Sequence, residues 1–198
     1  MKILSLDIST QCGYAFFEGT KRIDSGTTFL AQDVTYDLKS NPYPLNYVLR
    51  SEAIADLLID LVKRFGPDII VIEETNKAKA RYSQKLLEFI HLQFLTKLYA
   101  TVIGVKVEYL NTSAWRKTLS IKATKEDKAN NTAVNEAKKK KKSKKELGLK
   151  GKITTKHLAI RFVNHTLNLD LKVKDNNEAD AIALNLAYQM GASVVTGV

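Results

Sequence analysis

Three acidic residues occupy positions where a carboxylate is unusual, because each adjoins a strongly apolar element. Asp7 ends the first apolar run of the chain, Glu73 ends a run of isoleucine and valine, and Asp180 lies within an alanine-rich segment. An unpaired carboxylate in such surroundings loses hydration that nothing replaces. Taken singly, each acid is better explained as a strand-end or helix-cap carboxylate. Brought together, the three would repel each other unless a divalent cation lay between them.

Such a set of carboxylates favours metal-dependent hydrolysis. Hard oxygen ligands with open water positions suit Mg²⁺ or Mn²⁺. Two such ions held a few ångström apart would activate a water molecule and stabilise the leaving oxygen in phosphodiester cleavage. The three histidines, His91, His157 and His165, share no metal-ligand spacing. The three acids are therefore the predicted catalytic residues and metal ligands.

The hydrophobic pattern predicts one α/β domain over residues 1–198, with a mixed sheet flanked by helices. The predicted strands cover residues 3–7, 13–17, 21–30, 69–72 and 105–109. The predicted helices cover residues 49–65, 83–101, 154–167 and 175–190, with a shorter helix or turn near Trp115. Residues 33–44, which contain Pro42 and Pro44, are predicted to be a loop.

The excess positive charge is concentrated in one segment. The chain carries 31 basic and 21 acidic residues, and residues 117–156 hold 14 lysines and four acids, so the rest of the chain is neutral. This concentration favours a polyanionic partner such as DNA, because each neutralised phosphate releases counterions. A solvated lysine-rich loop is the alternative interpretation. The predicted DNA-binding residues are Arg116, Lys117, Lys122, Lys138, Lys139, Lys140, Lys141 and Lys142.

Three stretches around the acids resemble, in the same order, the motifs of RuvC-type Holliday junction resolvases in the RNase H-like superfamily. The first motif, in which a strand delivers a metal-binding Asp and a Gly follows six residues later, is matched by residues 4–15, LSLDISTQCGYA. The second, in which a Glu ends the central strand, is matched by residues 67–74, PDIIVIEE. The third, in which a helix carries the last acids, is matched by residues 177–184, NEADAIAL. Trp115-Arg116-Lys117 before a basic segment also resembles phage-type members. The resemblance covers about residues 1–190.

The resemblance implies a fourth metal ligand, whose identity the sequence leaves open. The family usually has two Asp residues three positions apart in its last motif, on one helix face. Here Asn177 stands three residues before Asp180, which keeps an oxygen ligand but loses a charge. Glu178 is adjacent and offers a carboxylate, whereas Asp175 would need the loop to fold back. We take Asn177 as the positional match and Glu178 as the second candidate.

The function that the resemblance implies is a Mg²⁺- or Mn²⁺-dependent endonuclease that cleaves branched DNA, the four-way Holliday junction, by two-metal hydrolysis. An RNase H-like nuclease acting on another nucleic acid, such as an RNA–DNA hybrid, is the alternative hardest to separate from it. A non-catalytic DNA-binding protein would not require acids at these three positions. Sugar kinases and actin-like ATPases share the fold, but they need a second Asp-Gly phosphate loop, which does not follow Val71.

The helix predicted over residues 83–101 has a wide apolar face that includes Phe89, Leu92 and Phe94. A helix that is apolar nearly all round is either buried or part of an interface. Because RuvC-type enzymes dimerise through the equivalent helix, the resemblance implies a homodimer, whose two-fold symmetry suits two symmetric cuts in a junction. The single cysteine, Cys12, excludes an intramolecular disulfide. With no run of about 18 apolar residues, we expect a cytoplasmic protein, in the host cell cytoplasm if viral, with no membrane partner.

Overall fold

A computed structural model describes residues 1–74, 82–139 and 151–195. The strands of its sheet are β1 (Lys2–Asp7), β2 (Gln11–Glu18), β3 (Lys21–Phe29), β4 (Ile69–Glu73) and β5 (Lys106–Leu110). In space they follow the order β3-β2-β1-β4-β5. The first three strands pair antiparallel, whereas β1, β4 and β5 are parallel. The predicted mixed sheet is confirmed.

The helices of the described residues flank this sheet. They are α1 (Gln32–Ser40), α2 (Leu45–Phe65), α3 (Tyr82–Thr101), α4 (Thr112–Thr118), α5 (Lys125–Lys139), α6 (Thr155–Leu167) and α7 (Asn176–Gln189), with a 3-10 turn at Val173–Asp175. α2 ends where Gly66 adopts a left-handed conformation, with φ of 54°, which a residue with a side chain adopts at a cost. None of the helices in the described parts of the chain is long and apolar enough to cross a membrane.

Two hydrophobic cores lie on opposite faces of the sheet. Because side chains alternate along a strand, Leu4 and Leu6 face α2 and α3, where they join one buried cluster. Ile3 and Val71 face the other way, into a cluster built with α4, α6 and α7. This second face is the one that receives the odd-numbered residues of β1 and β4, and it therefore decides where their terminal acids point.

The predicted strands and long helices are confirmed to within a few residues at their ends. The loop predicted over residues 33–44 is wrong, because most of it lies in α1, which ends at Ser40. The two prolines that suggested a loop follow this helix and do not interrupt it. Pro44 stands at the N-cap of α2, a region of a helix where the missing proline N–H is not needed.

Buried polar groups fix α7 on β1. The Ser5 hydroxyl lies 2.7 Å from the carbonyl oxygen of Ala181 and donates to it. The Asn185 side-chain amide donates to the Ile3 carbonyl, at 3.3 Å, and lies 3.2 Å from the Ser5 oxygen. Ser5 and Asn185 are both fully buried. Since a buried donor left without its partner is costly, these contacts hold α7 in one position along β1.

The start of α7 also packs directly on β2. A Cβ atom added at Gly13 would stand 1.9 Å from the Asn177 carbonyl oxygen and 2.9 Å from the Glu178 nitrogen. Only a glycine therefore allows this close approach of the two backbones. Gly13 is paired with Asp7 across β1 and β2, so the contact sets the distance between α7 and the end of β1.

α5 and α6 are clamped side by side. The guanidinium of Arg161 donates two hydrogen bonds to the Asp127 carboxylate, at 2.8 and 3.0 Å, and these bonds lower the pKa of Asp127 to about 2. The Asn131 side chain forms two hydrogen bonds of 2.8 Å with the backbone of Ile153. The start of α6 is thereby anchored to α5.

The chain after α7 returns to the edge of the sheet. Val194 forms an isolated antiparallel bridge with Leu110, and the Val195 nitrogen donates to the Tyr109 carbonyl at 2.8 Å. The end of β5 therefore has a partner on its outer side.

We expect Gly13→Ala to destabilise the protein by about 3 kcal/mol or more, since a backbone carbonyl cannot yield as a flexible side chain does. The matched control is Gly151→Ala, because a Cβ there has no atom within 4 Å, and we expect it to change stability by less than about 1 kcal/mol. Urea denaturation of both variants measures the difference. Equal stabilities would contradict the close packing of α7 on β2.

Candidate functional site

The parallel pairing of β1 and β4 brings Asp7 and Glu73 to the same edge of the sheet. Leu6 and Ile72 are register partners, and the next residue of each strand is the acid. Asp7 shares the face of Ile3 and Ser5, and Glu73 shares the face of Val71, because alternate residues of a strand point the same way. Both carboxylates therefore lie on the α7 side of the sheet.

α7 brings the third acid to this edge. Asp180 is buried, with 7% of its surface exposed, and it lies next to Ala181, whose carbonyl accepts the Ser5 hydroxyl. The Oδ1 atom of Asp180 is buried and has no hydrogen-bond partner among the described residues. An unpartnered carboxylate oxygen in the interior is rare, and it is the atom expected where a ligand completes the site.

The first turn of α4 holds Glu73 in place. Thr112 donates a hydrogen bond of 2.5 Å to Oε1 of Glu73, and the indole nitrogen of Trp115 lies 3.3 Å from the same oxygen. Glu74 is held separately, by the Asn111 amide at 2.8 Å. The two adjacent glutamates thus have different partners. Trp115 is fully buried and also positions Glu73.

Burial and neighbouring carboxylates raise the pKa of Asp7 and of Asp180. Burial raises the pKa of Asp7 to about 8, and the neighbouring carboxylates of Glu73 and Asp180 act in the same direction. Burial and the charge of Glu73 raise the pKa of Asp180 to about 7. Perturbed pKa values of this kind cluster at functional sites. The structure therefore brings together the three acids that the sequence singled out.

Two basic side chains face the same acids. The charges of Arg116, on α4, and Lys156, on α6, oppose the rise in pKa at both Asp7 and Asp180. Lys156 donates a 3.1 Å hydrogen bond to the Asn176 side chain at the start of α7, and Arg116 stacks 4.7 Å from the centre of the Trp115 indole ring. Nothing local in the sequence marks Lys156 as part of the site, because it is one of the 14 lysines of residues 117–156.

The donor set fits a hard divalent cation in charge and chemistry. Within the described residues, however, no group of three His, Cys, Asp or Glu side chains is arranged closely enough to hold a metal ion. The charges of Glu73 and Asp180 both reach Asp7, but the three carboxylates as placed do not converge on one point. Mutual repulsion keeps like charges apart, and a cation would offset that repulsion.

The two candidates for a fourth ligand lie at the first turn of α7 and have other partners. The Asn177 amide donates 2.5 Å to the Gln11 carbonyl, and its side-chain oxygen accepts from Asn176. The Glu178 carboxylate accepts a 2.6 Å hydrogen bond from the Ser25 hydroxyl of β3. Glu178 does not contribute to the pKa shifts of Asp7 or Asp180. Its carboxylate is thus engaged on β3, and the fourth ligand stays a prediction.

The predicted DNA-binding residues fall in different places. Arg116 lies beside the acids, and Lys117, on α4, is exposed. Lys122 is exposed in the connection from α4 to α5, and Lys138 and Lys139 are exposed at the end of α5. The remaining members of the predicted set lie outside the described residues: Lys140, Lys141 and Lys142.

Two solved structures match this chain over nearly its whole length. Thermus thermophilus RuvC in complex with a Holliday junction substrate has a TM-score of 0.62 and 13% sequence identity, over 96% of this chain and 93% of that chain. Thermus thermophilus RuvC alone has a TM-score of 0.59 and 14% identity, over 96% and 94%. The chain has the RuvC fold. The predicted α/β fold, a mixed sheet flanked by helices that is similar to RuvC, is therefore confirmed.

The similarity to RuvC lies in the three-dimensional structure and not in a detectable match of sequence. No protein-family model matches the sequence, and a search of curated proteins finds no match either. Within the RuvC fold of this chain, the acids of the three predicted motifs lie at one edge of the sheet, which is what the motif order predicts.

In metal-free buffer, we expect Asp7→Asn to be more stable than the wild-type protein by about 1–3 kcal/mol at pH 8, and equally stable near pH 4. The pKa of Asp7 is about 8 in the folded chain, well above its ordinary value of 3.8, so the folded state binds this proton more tightly than the unfolded state does. The stabilisation of the folded state by this bound proton is complete below about pH 4 and is lost as the pH rises towards 8. Asparagine carries no charge at either pH.

Urea denaturation in the presence of a chelator, at pH 4, 6 and 8, measures this difference. The control is Asp60→Asn, an exposed carboxylate on α2, whose pH dependence should follow the wild-type protein. A difference between Asp7→Asn and wild type that stays constant with pH would show that Asp7 is not held in a repulsive, buried cluster.

Proposed function

We propose that this protein is a divalent-metal-dependent endonuclease that cleaves four-way DNA junctions. The observation that carries the proposal is the meeting of Asp7, Glu73 and Asp180 at one edge of a RuvC fold, each delivered by a different element. The likeness in fold to a RuvC bound to its junction substrate supports the choice of substrate. The concentration of lysines in residues 117–156 supports a polyanionic partner.

The residues have separate roles in this proposal. Asp7, Glu73 and Asp180 would hold Mg²⁺ or Mn²⁺, which when bound supplies an activated water and stabilises charge on the leaving oxygen. Thr112 and Trp115 orient the Glu73 carboxylate through the hydrogen bonds that they donate to it.

The basic side chains beside the acids fit the scissile phosphate. Arg116 and Lys156 bring two positive charges to the acid cluster from α4 and α6. A guanidinium and an ammonium placed there attract the phosphate and oppose the repulsion between it and the carboxylates. Lys156 is fixed by Asn176, so its charge is positioned before the substrate arrives.

A homodimer is part of the proposal. The outer surface of α3 carries large exposed apolar side chains, with Leu92 62% and Tyr99 67% exposed, whereas Ile90 and Phe94 on its inner surface are buried. An exposed apolar stripe of this kind suits an interface. Two copies related by a two-fold axis would present two acid clusters to the two symmetric strands of a junction.

We expect wild-type protein to nick a synthetic four-way junction only with Mg²⁺ or Mn²⁺, and to leave linear duplex and RNA–DNA hybrid controls intact. Glu73→Gln should lower the rate by at least about a hundredfold, because the carboxylate is lost as a metal ligand, while junction binding persists. Glu74→Gln is the matched control, since Glu74 bonds Asn111 and not the site, and it should retain activity.

Four results would contradict the proposal. Metal-independent nicking, or equal cleavage of junction and linear duplex, would remove the assignment of a metal-dependent junction endonuclease. A Glu73→Gln variant with wild-type turnover would show that the acid cluster is not the reaction centre. Preferential cleavage of the RNA–DNA hybrid would assign the same site to another nucleic acid.

The fourth ligand is tested by comparing Asn177→Ala with Glu178→Ala. We expect Asn177→Ala to raise the Mg²⁺ concentration needed for half-maximal nicking about tenfold, because Asn177 stands one helical turn before Asp180. Glu178→Ala should retain most activity, since its carboxylate is engaged by Ser25. A silent Asn177→Ala with an inactive Glu178→Ala would reverse the assignment.

A further inference from the structure

A small cavity of about 170 Å³ lies between the sheet and the first two helices. Thr10 and Gln11 form one wall, at the turn from β1 to β2, and α1 and α2 form the other, with Lys39 and Arg50. The volume is below that of a pocket for a drug-sized molecule and suits a group the size of a phosphate. Because α1 forms part of the cavity wall, the loop predicted over residues 33–44 gives no indication of this cavity.

The cavity is positively charged. Among the described residues that line it, Lys39 and Arg50 carry charge and none is acidic. The Nε atom of Arg50 is buried and lacks a hydrogen-bond partner within the described part of the chain. A buried guanidinium donor without a partner is unfavourable, and an anion in the cavity would satisfy it. The hydroxyl of Thr35 adds a neutral donor to the wall.

The cavity is joined to the acid cluster by one ordered turn. Thr10 follows Asp7 by three residues, and the Ser9 hydroxyl fixes the turn by donating to the Gln11 carbonyl at 2.7 Å. The same carbonyl accepts the Asn177 amide from the start of α7. These two hydrogen bonds to the Gln11 carbonyl therefore fix the position of the cavity wall relative to the start of α7, which carries Asp180.

An exposed aromatic ring stands at the cavity. Phe29, at the end of β3, is 62% exposed, lines the cavity and is the register partner of Gln11. Single exposed apolar residues are common, but an aromatic face next to an arginine and a lysine matches the two parts of a nucleotide. Bases stack on aromatic rings regardless of sequence, and the phosphate pairs with the cations.

From these observations we infer that the cavity is a nucleotide subsite, in which Arg50 and Lys39 bind a backbone phosphate near the cleaved bond and Phe29 stacks on the adjacent base. The inference rests on the proposed function for the identity of the nucleic acid. Arg50 provides the planar donor fork that suits a phosphate. The subsite would hold the DNA strand on the β2–β3 side of the acid cluster, apart from Lys117 on α4 and the lysines of α5.

The test measures DNA binding in the inactive Asp7→Asn background, with a single-stranded oligonucleotide and a four-way junction as probes. We expect Arg50→Gln to weaken the binding of both probes roughly tenfold. It should also lower the slope of log affinity against log salt by about 0.7–0.9. Lys39→Gln should lower the slope similarly. Because Lys39 lines the same cavity, this variant still tests the subsite if Arg50→Gln does not fold. Lys63→Gln, an exposed charge on the same helix more than three turns away, is the matched control and should change neither.

A scan of single methylphosphonate substitutions along the junction strand locates the contact. We expect one uncharged linkage near the cut to weaken binding by the protein with Arg50, and to have no effect on Arg50→Gln. Phe29→Ala should weaken binding of the single strand about fivefold, whereas Phe29→Tyr should not. Inorganic phosphate, the second possible source of the anion, is added as a competitor.

The outcomes separate the subsite from the proposed function. Unchanged salt slopes and an unchanged methylphosphonate profile in both Arg50→Gln and Lys39→Gln would overturn the subsite. Binding of inorganic phosphate that Arg50→Gln abolishes, with DNA affinity intact in the same variant, would also overturn it and would assign the cavity to a free anion. Absence of junction nicking by the wild-type protein would overturn the proposed function alone, because the single-stranded probe still decides the subsite.

Discussion

The site depends on three carboxylates being held close together against their own repulsion. Only packing can do this, and the packing of α7 on β1 and β2 supplies it. Ser5 and Asn185 prevent α7 from moving away, because each would leave a buried polar group unpaired. Gly13 permits the approach that brings Asp180 towards Asp7. A substitution at any of these positions would alter the acid cluster without touching it.

The positive charges that balance this cluster come from elements with their own anchors. α4 is fixed by the burial of Trp115, and α6 by the pairing of Arg161 with Asp127 on α5. Arg116 and Lys156 are therefore placed by structure that contains no catalytic residue. Arg116 and Lys156 lower the pKa values of Asp7 and Asp180, but burial and the neighbouring carboxylates outweigh them. The two pKa values therefore stay raised, to about 8 and about 7.

The parts of the site that lie at strand ends could be predicted from the sequence, and the parts that depend on tertiary contacts could not. Asp7 and Glu73 each end an apolar run, so their place at a sheet edge follows from strand periodicity. Lys156 acts on Asp7 from a helix 149 residues further along the chain, and no local pattern marks it. The sequence predicts a loop in place of α1, because Pro42 and Pro44 favour a loop although both follow the end of the helix at Ser40. The partner of Glu178 on β3 also depends on a fold-level contact that spacing along α7 does not contain.

The return of the chain to β5 has a consequence for the behaviour of the protein in concentrated solution. An edge strand with free backbone groups is a template for pairing with other molecules, and proteins protect such edges against aggregation. The contacts of Val194 and Val195 with Leu110 and Tyr109 occupy the end of that edge. The opposite edge, β3, begins with Lys21 and Arg22, whose charges discourage the same association. A variant shortened before Val194 would keep its acid cluster and lose protection against self-assembly at β5.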